Sequence, residues 1–316
     1  MRTAIVIPCA IFLLISSSAY SATWHIPDQC PTIQSGIDSA SFGDTVLVAC
    51  GTYYEHSLFM KSGLCLRSKT GQPDCVTIDA AQLGRVLHCS GVDAHASVQG
   101  FTFTGGVASD YGGGIRCDLD SSLRIVNCVF LENEATHGAG IYCSAASPSL
   151  VQCAFFRNVA ETAGGAVYSH NSFPTLTNCT LFANDAGTWT GTGSGIYASG
   201  GYPTIENTII AFGTTGAAVT SVGGNCVGLR CCTLYGNAGG DWVGCIADQY
   251  GINGNISADP LFCDPDNGNF YLQCGSPCAA FTSPNPECDL IGAWPVGCGG
   301  TVVEGTSWSS LKALYR

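Results

Sequence analysis

The chain has 316 residues and a net charge of −12, with 11 Lys and Arg against 23 Asp and Glu. That balance argues against nucleic acid and anionic membranes as partners, and it opposes strongly anionic polysaccharide unless calcium bridges the two. A hydrophobic content of 46% beside 41 glycines is too apolar for a disordered polymer and points to a packed, turn-rich fold.

The first residues read as an export signal spanning 1–22. Arg2 gives a positive start, Ala4 to Ile15 is a short apolar run, and Ala19-Tyr20-Ser21 is a small-x-small site for cleavage after Ser21 or Ala22. The run is too short to span a membrane, and no later segment is long and apolar enough, so the expected location is secreted or at the cell surface. Of the 20 cysteines, Cys9 leaves with the signal and 20 − 1 = 19 remain. That number fits an oxidising compartment, and an odd count leaves at least one thiol free or paired with another chain. Local disulfides Cys30–Cys50 and Cys65–Cys75 are expected. No repeated Cys-x-x-Cys pair supports zinc, and the reading assigns no metal ligands.

Residues 23–56 are expected to form an N-terminal cap and first coil. In Pro31 to Ala40, Ile33, Ile37 and Ala40 share a helical face, which predicts a short amphipathic helix covering an open sheet edge. Gly43 to Tyr53 reads as a turn followed by a strand. From residue 57 to 298 short strands alternate with Gly, Asn, Asp and Ser. One phrase starts at Gly112 (Gly112-Gly113-Gly114-Ile115-Arg116-Cys117) and returns at Gly138, Gly164, Gly193 and, degraded, at Gly216, intervals of 26, 26, 29 and 23 residues. Between the copies lies a second phrase, Asn127-Cys128-Val129-Phe130-Leu131-Glu132-Asn133, repeated from Gln152 and Asn178 and partly from Asn207 and Cys231. A period of this length specifies a stacked solenoid, of about nine or ten coils here, in which no repeat buries its own apolar face.

Within each coil Ile115 and Cys117 should point inward and Arg116 outward, because strand side chains alternate. Ile125, Cys128 and Phe130 should also point inward, with Asn127 at a sharp bend in the left-handed conformation it tolerates. Stacking then places Cys128, Cys153 and Cys179 in one column with Thr208 and Cys232, either bridged or serving as small buried hydrophobes. Phe130, with Phe155 or Phe156 and Leu181 or Phe182, forms the next column.

Three features resemble the right-handed parallel β-helix proteins of the broad pectate-lyase-like superfamily. They are the opening (Pro31-Thr32-Ile33-Gln34, Gly43-Asp44-Thr45-Val46, Gly51-Thr52-Tyr53), the two repeated phrases, and the closing Asp259-Pro260-Leu261-Phe262-Cys263 with Gly275-Ser276-Pro277-Cys278. The likeness covers roughly residues 28 to 295 and implies an all-β, right-handed parallel β-helix. It leaves activity open, since that fold hosts lyases, hydrolases, esterases, epimerases and adhesins. Residues 299–316 read as a linker and a locally basic tail, Trp308 to Arg316, either frayed or attached to the cell envelope.

Two groups of residues are functional candidates. The positions after each inward Ile or Val give Arg116, Tyr142, Tyr168, Tyr197 and Thr220, an exposed aromatic ladder whose rings suit sugar binding. On this reading Tyr168→Ala with Tyr197→Ala removes binding and leaves the melting temperature nearly unchanged. The second group is catalytic: Arg116, Asp118 and Asp120, with Asp110 and Glu132 or Glu134 nearby, are the nearest match to the carboxylates and base of a calcium-dependent lyase. A metal ladder needs acids in register on successive coils, however, and the positions equivalent to Asp118 are Ser144, His170 and Ser199. No adjacent Asp pair suits a glycosidase, His88, His95, His137 and His170 lack a metal spacing, and Asp264 to Asn269 reads as a turn. The favoured reading is therefore a carbohydrate-binding, adhesive or scaffold module without catalysis, with calcium as the only cofactor considered; the rival is a polysaccharide-degrading enzyme, a pectate-lyase-like lyase or a glycosidase.

Overall fold

The computed structural model describes residues 21–187, 192–223 and 226–298. Nearly all of the expected export signal and the whole tail 299–316 lie outside the described residues. The described chain winds into a parallel β-solenoid of about eight turns, slightly fewer than expected. Its three faces are sheet A with nine strands, sheet B with eight and sheet C with seven, and strands pair in parallel with their equivalents one coil on. One coil shows the plan: Arg124–Val126 in sheet A, Val129–Leu131 in sheet B, Glu134–His137 in a small outer sheet D, then Ile141–Ser144 in sheet C.

The sharp corner between sheets A and B is built from single residues in the left-handed region. Asn127, Gln152, Asn178, Asn207 and Cys231 all have φ between 47° and 54°. The corner turns within two residues, so the chain reverses the inward and outward alternation where the sequence phrase begins. Predicted inward residues are buried: Ile115, Cys117, Ile125, Cys128 and Phe130 are all at 0% exposure. The phenylalanine column resolves as Phe103, Phe130 and Phe155, continued by Leu181, Ile210 and Leu234. Phe130 and Phe155 stack at 4.5 Å.

The last residue of the repeated phrase has a role the sequence reading missed. Asn133, Asn158 and Asn184 are buried in a hydrogen-bonded ladder. Asn158 Nδ2 donates to Phe130 O (2.9 Å) and to Asn184 Oδ1 (2.9 Å), while its own Oδ1 accepts from Asn133 N (3.2 Å) and Asn133 Nδ2 (3.0 Å). Each amide satisfies the corner backbone of the coil before it, where sheet hydrogen bonds cannot reach. The signal was present in the sequence as an Asn at the end of every good copy.

The helix forms as expected, over Ile33–Ser39, with Ile33, Ile37 and Ala40 buried. Thr32 and Ser35 make a reciprocal capping pair, and the Glu55 carboxylate accepts from Ile33 N (2.7 Å) and Gln34 N (3.1 Å). The single strand expected before Tyr53 is two strands, Thr45–Val48 in sheet A and Gly51–Tyr54 in sheet B, separated by a corner at Ala49 and Cys50. That corner corrects the disulfides. Gly51 pairs with Val76, so Cys50 and Cys75 occupy equivalent places on adjacent coils and form one bridge, while Cys30 and Cys65 are free thiols. Three further bridges are Cys226–Cys245, Cys231–Cys288 and Cys263–Cys298. The Cys128, Cys153, Cys179 and Cys232 column stays reduced and buried, with Thr208 in its gap.

After sheet B ends, the closing segment doubles back along the solenoid. Phe262, Phe270, Leu272 and Ile291 pack on the outer side chains of sheet B, among them Phe156, Phe182 and Ile209. Asn178 Nδ2 donates to Leu290 O at 2.6 Å, anchoring the segment to a corner.

Candidate functional site on the outer face of sheet C

Register places the ladder as the sequence implies. Arg116 pairs with Tyr142, Tyr142 with Tyr168, Tyr168 with Tyr197 and Tyr197 with Thr220. His88 and Phe59 extend the row on the other side of Arg116. The opening glycines Gly112, Gly138, Gly164 and Gly216 supply a left-handed turn into the strand, as at Gly138 with φ 63°, where a Cβ would also lie 2.6 Å from Ile141 O.

The ladder is less exposed than expected. Tyr142 is only 6% accessible, and Tyr168 and Tyr197 are half-buried. Sheet D (Val107–Tyr111, Glu134–His137 and Val159–Ala163) forms a wall beside the row. Tyr111 from that wall stacks on Tyr142 at 4.4 Å, and His137 meets Tyr168 edge-on at 5.2 Å. Tyr142 and Tyr168 stack at 5.3 Å, and Tyr168 and Tyr197 at 4.9 Å. Ring faces are therefore largely taken by neighbouring rings, and Tyr197 at the end of the stack keeps a face toward Thr220. Burial, with the neighbouring Tyr197 and Tyr142, pushes the Tyr168 hydroxyl up to about 12. Burial lowers the pKa of His137, whose Nδ1 is buried with no hydrogen-bond partner among the described residues.

Two aromatic residues that the sequence reading did not single out lie further along the same coils. Phe173 and Tyr202 lie on the turns following the strands that carry Tyr168 and Tyr197. Both are about half exposed, and they meet edge-to-face at 4.9 Å. A Phe and a Tyr in equivalent turns of adjacent repeats were the available signal.

At the other end of the row the charged candidates condense into one network. Arg116 Nε contacts Asp118 Oδ2 at 2.9 Å, and its Nη1 contacts Asp110 Oδ2 at 3.2 Å. Arg85 Nη2 reaches Asp110 Oδ1 at 2.6 Å, and His88 Nε2 reaches Asp118 Oδ2 at 3.1 Å. Burial works to raise the Asp118 pKa, but hydrogen bonds from Ser90 and His88 and the charges of His88 and Arg116 outweigh it, and the net shift is downward. Burial also lowers Arg85 against the opposing pull of Asp110. Arg85, His88 and Ser90 lie on the earlier coil that the repeat pattern did not align.

Asp120 is not part of this network. It stands exposed in the turn after the strand, at φ 61°, with no ion pair among the described residues. Glu132 and Glu134 are also elsewhere, beside sheet B rather than sheet C. The register confirms that Ser144, His170 and Ser199 follow Asp118 along the stack. Two carboxylates already engaged by Arg85, Arg116 and His88 do not fit a calcium site. Among the described residues no group of three or more His, Cys, Asp or Glu side chains is placed to hold a metal ion.

Residues 59–201 match the family model of the right handed beta helix region, the segment that carries the ladder and the network. No curated protein matches the chain. The chain is thus a right-handed parallel β-helix protein, an architecture consistent with the pectate-lyase-like superfamily that its sequence resembles.

Proposed function

We propose that the protein is an exported or surface-displayed β-helix module that binds an extended glycan along the outer face of sheet C. The observation that carries this reading is the stacked row of Tyr142, Tyr168 and Tyr197, whose partly exposed members Tyr168 and Tyr197 lie on the coils that also carry the exposed pair Phe173 and Tyr202. Among the described residues the aromatic stack ends at Tyr197, whose ring neighbour is Tyr168. Such surfaces suit ligands that alternate C–H faces and hydroxyls. Four disulfides fit an oxidising compartment. Among the described residues no helix is long and apolar enough to cross a membrane.

Binding is preferred to catalysis because Arg116, the candidate base, is engaged by two carboxylates, and no acid follows Asp118 along its row. The network of Arg85, His88, Asp110, Arg116 and Asp118 still gives the enzymatic reading a specific basis, since it joins carboxylates, an imidazole and a guanidinium on the same face. A reducing-end assay over pectic, alginate and neutral polysaccharides separates the two readings. Retention of the protein on a glycan with no new ends supports a binding module. New ends that vanish in Arg116→Lys or Asp118→Asn establish an enzyme.

A further inference from the structure

A second site is built on the outer face of sheet B. The residues facing out from this sheet change character along the stack. In one row Thr77 and Thr102 give way to Val129 and Ala154; in the next, Asp79 and Thr104 give way to Leu131 and Phe156. The closing segment covers the apolar end, as its contacts with Phe156 and Phe182 require. It leaves the polar end as a cavity of ≈ 540 Å³. That volume lies within the range of about 300–1,000 Å³ usual for small-molecule sites.

The floor of this cavity is polar and deeply placed. Thr77 and Thr104 are 5% and 8% exposed, and neither hydroxyl has a hydrogen-bond partner among the described residues. Asp79, also 5% exposed, accepts from Ala81 N at 2.8 Å through Oδ1. Its Oδ2 has no protein partner among the described residues. Gly105 closes over this carboxylate at φ 62°, where a Cβ would sit 2.3 Å from Asp79 Oδ1, so only glycine fits. These oxygens stay open to the cavity, so a ligand hydroxyl can pair with them in place of water.

The rim sets the charge of the ligand. Glu132 and Glu134 line it, and its one cation, Arg157, lies over the Phe156 ring at 4.5 Å, within 4.0 Å of Glu132 and 3.7 Å of Asp266. That excess of carboxylate repels anions. Leu131 and Val159 add apolar surface to the wall.

We infer that this cavity binds a neutral saccharide unit, with Thr77, Thr104 and Asp79 as its hydroxyl partners. The site is independent of the aromatic face, since it lies on a different sheet and shares no residue with it. Thr→Val is the suitable probe because it removes each hydroxyl while preserving the outward branched shape. Calorimetric titration with cellobiose, maltose and lactose would be run on the full protein, on Thr77→Val/Thr104→Val and on Tyr197→Ala. The expected result is saturable binding of at least one disaccharide, weakened about tenfold in the threonine variant and unchanged in Tyr197→Ala. A melting temperature in the threonine variant at or above that of the parent shows that folding is intact. Binding by none of the three sugars, or equal binding by the parent and the folded threonine variant, would overturn the assignment.

Discussion

Two ladders run along this molecule with the same coil-to-coil register, one inside and one outside, and they are held differently. The interior asparagines 133, 158 and 184 are tied to backbone groups by hydrogen bonds, and each satisfies a corner that the sheets cannot. The tyrosines 142, 168 and 197 on the outer face are held by ring stacking, with Tyr142 buried and Tyr168 and Tyr197 partly exposed. The difference separates structure from function. A buried amide ladder is required for the turn to exist, whereas an aromatic row in a cleft contributes less to folding and leaves groups for a ligand.

The sharpest way to break this comparison is Asn158→Ala. It removes a donor to Phe130 O and the acceptor of Asn133 N, leaving buried backbone groups unpaired, and should cost about 3 kcal/mol in denaturant unfolding. A loss below about 1 kcal/mol would place the ladder among dispensable polar contacts. Tyr168→Ala is expected to cost less, about 1–2 kcal/mol, because it breaks two stacked pairs at a half-buried position. The expectation from sequence alone is little change in melting temperature, so the unfolding measurement decides between the two. Tyr197→Ala, with one stacked neighbour, should lose under about 1 kcal/mol and is the cleaner test of binding.

Acid titration sharpens the comparison further, because titrating groups adjoin the exterior row, His137 edge-on to Tyr168 and Asp118 beside Arg116. His137 has a lowered folded pKa, so the unfolded state binds more protons, and its contribution is present above about pH 6.5 and lost as pH falls. Asp118 is also lowered; its contribution is present above about pH 4 and lost as pH falls through the depressed folded value. His137→Phe should flatten thermal stability between about pH 7 and 5, and Asp118→Asn should flatten it only below about pH 4. Unchanged slopes in both variants would remove these groups from the acid response. The smallest expected effect concerns the thiols. Burial pushes Cys128 and Cys153 up, and Cys232 up to about 12. Brief alkylation of the native protein followed by peptide mapping should label exposed Cys274 first and partly exposed Cys65 next. Early labelling of Cys128 or Cys153 would contradict a closed core.

Much of the fold was legible because the repeat states it. The intervals between glycine phrases fixed the coil, and alternation placed Ile115, Cys117 and Phe130 inside. The early coils were not legible, because Cys50 and Cys75 sit at equivalent corners whose surrounding residues share no phrase. The site was partly legible for a similar reason. The row of Arg116, Tyr142, Tyr168 and Tyr197 follows from register alone. The wall that buries Tyr142 comes from segments between the repeated phrases, where sequence spacing carries no information about which way a loop folds. Asp120 does not join the charged group because the strand runs through Asp118 and the chain then turns at Leu119 and Asp120, both in the left-handed region, which leaves Asp120 exposed.

Affinity electrophoresis tests the central claim most directly, with native gels containing neutral, pectic or alginate polysaccharide run with the parent, Tyr197→Ala and Tyr202→Ala. The account predicts that at least one polysaccharide retards the parent and that both variants lose most of that retardation while migrating as folded protein in plain gels. A parent that runs unretarded in every gel, or variants retarded as strongly as the parent, would contradict a glycan-binding role for the face of sheet C.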